Sequence, residues 1–266
     1  MRKPAVAGEF YPALPKQLER EISRLISVPS KKRNVLGILS PHAGYVYSGS
    51  VAGLVFSKIE LPKTIIIIGP NHTGAGEMAS ISSKDEWEMP GGIVKMNSEL
   101  AEIIMSKTGL INEDRTSHQF EHSLEVQIPF IQYFLDAFDI VPICMRRVEF
   151  SKCEDIGIAI ATSIKEYGKP VLIISSSDMT HYESKENVNR KDKMALDKIM
   201  ELDPEGLYKT VQAHSISMCG FVPVAIMLVA CKEMGAYGVE IVKRMTSGDI
   251  TGDNIRVVGY AGVIVY

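Results

Sequence analysis

KTIIIIGPNHTG, residues 63–74, runs four isoleucines into Gly-Pro-Asn-His. Consecutive β-branched residues closed by a Gly-Pro turn predict a strand buried on both faces, as in a parallel sheet covered by helices. The strand delivers His72 just beyond its carboxyl end. The same grammar recurs on either side. VLGILS (35–40) predicts a strand followed by Pro41–His42, and KPVLIISSS (169–177) predicts one followed by Asp178 and His181. Further strands are expected at IVPICM (140–145), from Val239 through the turn at 247–249, and at VVGYAGVIVY (257–266).

Amphipathic stretches separate these runs. Helices are expected over 15–27, 48–59, 97–107, 122–135, 154–168, 189–202 and 221–236. Asn97 or Ser98 is the expected N-cap of the third, Gly168 ends the fifth, and Asp203–Pro204 stops the sixth. Pro129 inside 122–135 implies a kink or an irregular first turn. Strands alternating with helices give an α/β fold, with a largely parallel or mixed central sheet flanked by helices. No repeat, low-complexity tract or linker interrupts the chain, so residues 1–266 are expected to form a single domain.

The chain is 45% hydrophobic and 23% charged with a formal net charge of −3, which suits a soluble globular protein and offers no basic surface for nucleic acid. No apolar run reaches membrane-spanning length, and the start MRKPAVAGEFYP lacks a signal-peptide core. A cytoplasmic location, with no membrane and no nucleic-acid partner, is the expectation. Cys144, Cys153, Cys219 and Cys231 form no C-x-x-C pair, which argues against a zinc ribbon or a thioredoxin-type site and for reduced, mostly buried thiols.

Three of the six histidines, His42, His72 and His181, fall just past predicted strands. In an open α/β sheet, ligands sit outside the carboxyl ends of the strands, so a shared site is expected there, for metal binding, acid/base chemistry or both. Cys219 precedes the long helix from residue 221, whose dipole is expected to favour its thiolate; the alternative is a small buried apolar residue. His122 and Glu125 lie three apart and would share a helix face. His118 and His214 are expected on the surface. GPNHTGAG is no Walker loop, neither G-x-G-x-x-G nor G-x-S-x-G occurs, and SGDITGDN (247–254) lacks EF-hand spacing and is expected to be a turn.

AVAGEFYP (5–12), PHAGYVYSGS (41–50), IIIIGPNHTG (65–74), EHSLEVQIPF (121–130), SSSDMTHY (175–182) and MCG (218–220) occur in an order that resembles the Memo family across nearly the whole chain. That family is similar in fold to the class III (LigB-type) extradiol dioxygenases, which hold non-haem iron with two histidines and a carboxylate. The resemblance implies a mononuclear metal site of His42, His72 and Cys219, with cysteine in the carboxylate's place. It implies acid/base roles for His122 and His181, with Asp178 orienting His181. Asp178 and Tyr47 fall in the family's site region, and Tyr47 and Glu125 are expected to contact substrate. A thiolate favours copper, zinc or iron; iron or copper is expected first, with zinc as the alternative.

Three functions follow as expectations: metal-dependent redox or dioxygenase-like chemistry on an unidentified substrate, a non-catalytic cleft for a peptide or small ligand, and a zinc hydrolase. Family architectures also imply AMMECR-type and radical-SAM proteins as partners.

Overall fold

The computed structural model describes residues 1–27 and 31–266. Helix α1 (Pro15–Leu25) precedes β1 (Gly37–Ser40), α2 (Tyr45–Ser57) and β2 (Thr64–Pro70). Short strands follow: β3 (Ala79–Ile81), β4 (Trp87–Met89) and β5 (Gly92–Met96). Then come α3 (Ser98–Lys107), β6 (Asn112–Glu113), α4 (Ile128–Phe134), β7 (Asp139–Met145), α5 (Phe150–Tyr167) and β8 (Val171–Ser176). The chain closes with β9 (His181–Glu183), α6 (Lys185–Met200), α7 (Pro204–Ala213), α8 (Phe221–Glu233), β10 (Val239–Thr246), α9 (Gly248–Thr251) and β11 (Val257–Val265).

Among the described residues the strands form one mixed α/β sheet in the order β10-β11-β1-β8-β2-β7-β3-β6, with β4, β5 and β9 attached at its sides. The centre, β1-β8-β2-β7, is parallel. Antiparallel pairs flank it, β11 on β1 and β3 on β7. The isoleucine run shows why this centre is parallel. Ile66 and Ile68 enter the apolar layer that contains α5 and α8 residues, whereas Ile65 and Ile67 enter the layer of α2 and α4. All four are fully buried. Each such burial contributes about 2 kcal/mol, and a polar residue at any of the four would face a dry core.

The expected strands are all present, with ends shifted by a few residues. Asn97 caps α3, its side chain accepting from the Leu100 amide. Gly168 closes α5 in the left-handed conformation, φ 68°. Gly248–Thr251 form one helical turn where a plain turn was expected. The expected helix over 122–135 is shorter: Glu125–Gln127 is a 3-10 turn, and α4 begins at Ile128 with Pro129 in its first turn, where a missing N–H costs nothing. Two glycines allow close approach at the sheet's carboxyl edge. A Cβ at Gly69 would meet Leu124 Cδ1 and Ser123 Oγ at 2.7 Å, and one at Gly220 would press on Ser176 and Ser177. No helix among the described residues is long and apolar enough to cross a membrane.

Candidate metal centre

Neighbouring strands β1, β8 and β2 carry the site. His42 lies two residues past β1, Asp178 two past β8, and His72 two past β2, while His181 opens β9. Cys219 stands ahead of α8, whose N-terminus is drawn to the end of β8 by Gly220 N–H donating to Ser177 Oγ at 2.9 Å. His122 comes from the loop lying on β2 at Gly69. The rings of His42, His72 and His122 have centroids 5.1, 5.4 and 4.7 Å apart. One ligand atom from each lies within 4.8 Å of the others, a grouping that can hold a metal ion. Cys219 Sγ is 3.2 Å from His42 Nε2.

Hydrogen bonding selects the nitrogen each ring offers. Ser176 Oγ donates its one proton to Ser123 O at 2.7 Å and accepts from Gln127 Nε2 at 2.9 Å. His42 Nδ1, 3.0 Å from that hydroxyl, must therefore be the donor, leaving Nε2 bare beside Cys219. His181 Nδ1 lies 2.8 Å from Ser217 O, which can only accept, so in the neutral ring Nε2 is bare as well. His72 Nδ1 faces Glu121 Oε1 at 2.9 Å.

Burial disfavours the charged form of two of the rings. Burial, then the neighbouring His72, His122 and His181, hold His42 well below the ordinary histidine value. Burial also lowers His122, although Glu121 beside it works the other way. Burial acts to raise Glu121, but the His72 hydrogen bond, the His72 charge and the Ser123 amide outweigh it and hold the carboxyl at about 2. Asp178 is raised by burial. Burial, then the Asp178 charge, push the Cys219 thiol up, opposite to the expected dipole effect. Cys219 precedes the N-cap Gly220 rather than standing in the helix's first turn, and the cost of burying a thiolate wins. Asp178 N–H, 3.3 Å from Sγ, is a donor aimed at the sulfur.

Three other expectations are corrected. Asp178 does not orient His181, because its Oδ1 accepts from the His42 and Ala43 amides at 2.8 and 3.3 Å and so fixes the PHAG loop; the Ser217 carbonyl orients His181 instead. Glu125 does not face the site and shares no helix face with His122. It is fully buried, accepting from Arg2 Nη1, the Ala5 and Val6 amides and Tyr11 Oη. His118 is buried, 1% exposed, packed with Arg2 and Trp87 rather than on the surface. Tyr47 stands on the first turn of α2, 39% exposed, with no hydrogen bond to the site histidines among the described residues. His214 is exposed, as expected. The residue missed by sequence reasoning is Glu121, which touches His72 and lies beside His122; its one sequence cue is its place directly before His122.

A family model described as Memo-like protein matches residues 2–264. A MEMO1 family protein of Methanosarcina barkeri is 40% identical over 100% of both chains. Another, from Methanothermobacter thermautotrophicus, is 40% identical over 98% of this chain and 99% of its own. The crystal structure of an uncharacterized protein from Escherichia coli K12 superposes with a TM-score of 0.55 at 12% identity, covering 86% of this chain and 99% of that one, a likeness of fold.

Proposed function

The chain belongs to the Memo family, and from that premise we propose that it binds one transition-metal ion between His42, His72 and His122, with Cys219 as a further donor, and performs metal-dependent redox chemistry on a small substrate. The observation that carries this reading is the close grouping of three imidazoles, with Nδ1 of His42 and His72 already engaged elsewhere. Three imidazoles and a sulfur suit iron, copper or zinc and disfavour magnesium or calcium, which take oxygen ligands. Iron or copper would supply one-electron and oxygen chemistry that no side chain offers.

The chain's own residues supply the rest. The bare Nε2 of His181 accepts or returns a proton, its ring held by Ser217. Asp178 and Ser176 fix His42 from its amide and from Nδ1. His122 moves in this reading from the proton-transfer role expected of it to the donor set, because its ring lies 4.7 Å from that of His72.

The test is metal content. Protein without a histidine tag is purified anaerobically as wild type, His72→Ala, His122→Ala and Cys219→Ala, and analysed for elements. Near one iron or copper per chain, lost in the histidine variants, is the expected result. One zinc per chain together with hydrolysis of a model ester moves the function to a hydrolase, for which three histidines are a known donor set. No metal after reconstitution overturns the proposal and leaves a ligand-binding cleft.

A further inference from the structure

We propose that Glu121 is a positioning residue that fixes the ring orientation and tautomer of His72, and biases His122 through the same oxygen, so that both offer Nε2 to the site. Glu121 is 1% exposed. Its Oε2 accepts the His72 amide at 2.6 Å, and its Oε1 accepts His72 Nδ1–H and the Ser123 amide, both at 2.9 Å. The same Oε1 lies 3.4 Å from His122 Nδ1, too long for a full hydrogen bond but of the same polarity. A carboxylate only accepts, so each nitrogen facing it carries its hydrogen. A neutral imidazole has one N–H; spent on Glu121, it leaves Nε2 bare.

Its own placement is fixed from the other side. Arg2 Nη2 donates to the Glu121 carbonyl at 2.7 Å, and Ser123 Oγ donates to Pro70 O at 3.0 Å, anchoring the segment to the end of β2. One acid therefore gathers a strand-end histidine and a loop histidine into a common register. A partner of this kind beyond the ligands is worth about 10–100-fold in metal affinity.

Glutamine at this position has one acceptor oxygen, and its NH2 meets a donor whichever way the amide lies, so it cannot serve all three N–H groups now turned toward the carboxylate. The purpose of the arrangement rests on the metal reading; its test does not. Two-bond nitrogen–proton correlation spectra of the metal-free protein near pH 7.5 report each histidine's tautomer. Wild type is expected to show His72 and His122 protonated at Nδ1. Glu121→Gln is expected to move His72 toward the Nε2–H form, with a smaller change at His122, and to weaken Co2+ binding by about 10–100-fold in calorimetry. Glu125→Gln is the control: it removes a buried acid four residues away and is expected to lower the unfolding temperature while leaving the tautomers and the Co2+ affinity unchanged. A wild-type His72 carrying its proton on Nε2, unchanged tautomers in Glu121→Gln, or the same changes in Glu125→Gln would each overturn the proposal. Wild type that binds no Co2+ while the tautomer shift occurs supports the positioning role and removes the metal reading alone.

Discussion

The segment HQFEHSLE, residues 118–125, carries two histidines and two glutamates, each pair four residues apart. One of each belongs to the site, Glu121 and His122; the others, His118 and Glu125, belong to the anchor of the N-terminal arm. Burial does not separate the two regions, since Glu121 is as enclosed as His118, each 1% exposed. Their partners do. Glu125 meets a guanidinium, two amides and a phenol, none of them a group that could itself hold a ligand. Glu121 meets a ring with a second nitrogen to spare. A buried acid is structural when its partners only hold the chain together and functional when a partner is a ring whose free nitrogen it aims.

The strongest way to break this division is to remove Arg2. Its guanidinium is 2.6 Å from Glu125, donates to the His118 and Glu121 carbonyls at 2.7 Å, and lies 4.2 Å over the Trp87 ring. Arg2→Met leaves a carboxylate buried without its countercharge, a change that costs about 3–5 kcal/mol in such pairs. Urea unfolding is expected to show a loss of that order, and Arg2→Met combined with Glu125→Gln is expected to recover part of it. Co2+ affinity, measured well below the unfolding transition, is expected to fall less than in Glu121→Gln, because the carboxylate stays and only the bond to its backbone carbonyl is lost. If affinity falls in step with stability, the anchor and the site are one unit and the comparison fails.

The anchor was illegible in the sequence for the same reason. The apolar runs at 35–39, 65–68 and 171–174 betrayed the sheet because burial on both faces leaves no polar residue, and topology then put His42, His72 and His181 at one edge. Nothing local to His118 or Glu125 says that Arg2, more than a hundred residues away, will cover them. Assuming a helix through residue 122 turned Glu125 toward His122; the 3-10 turn begins only at Glu125. Helix α7 escaped for a related reason. Asp203–Pro204 stops α6 and also opens α7, where Asp203 accepts from the Gly206 amide, so one signal served two elements. The small strands β3 to β6 are too short to carry a period.

The next effect in size separates the regions by pH. Burial, with positive Arg2 next in weight, lowers His118 from 6.5 to about 4. The folded value lies below the unfolded one, so between them the unfolded chain binds the extra proton. The folded state therefore loses stability as pH falls from about 6.5 toward 4 and keeps it above that window. From pH 7 to pH 5 the loss attributable to His118 is about 2 kcal/mol. Urea titrations at the two pH values are expected to show a drop smaller by about that amount in His118→Gln than in wild type. An equal drop in both would mean that His118 is protonated in the folded protein and that its enclosure is not dry.

The smallest effect tests the place where the two regions touch. Phe10 belongs to the arm that Glu125 fastens through Ala5, Val6 and Tyr11, yet its ring packs edge-on against His122 with centroids 4.9 Å apart. Its carbonyl also receives the Tyr45 amide at 2.8 Å, so the backbone stays put when the ring is changed. Phe10→Leu removes the aromatic edge at a cost of about 1 kcal/mol. His122 then loses one wall but keeps the pull of Glu121, and the Co2+ dissociation constant is expected to rise by about fivefold at most, the equivalent of that energy. His72, which Phe10 does not touch, is expected to keep its Nδ1–H tautomer in the same spectra. A rise as large as that in Glu121→Gln would mean that the arm, not the acid, aims His122, and the line between anchor and site would have to be drawn through Phe10.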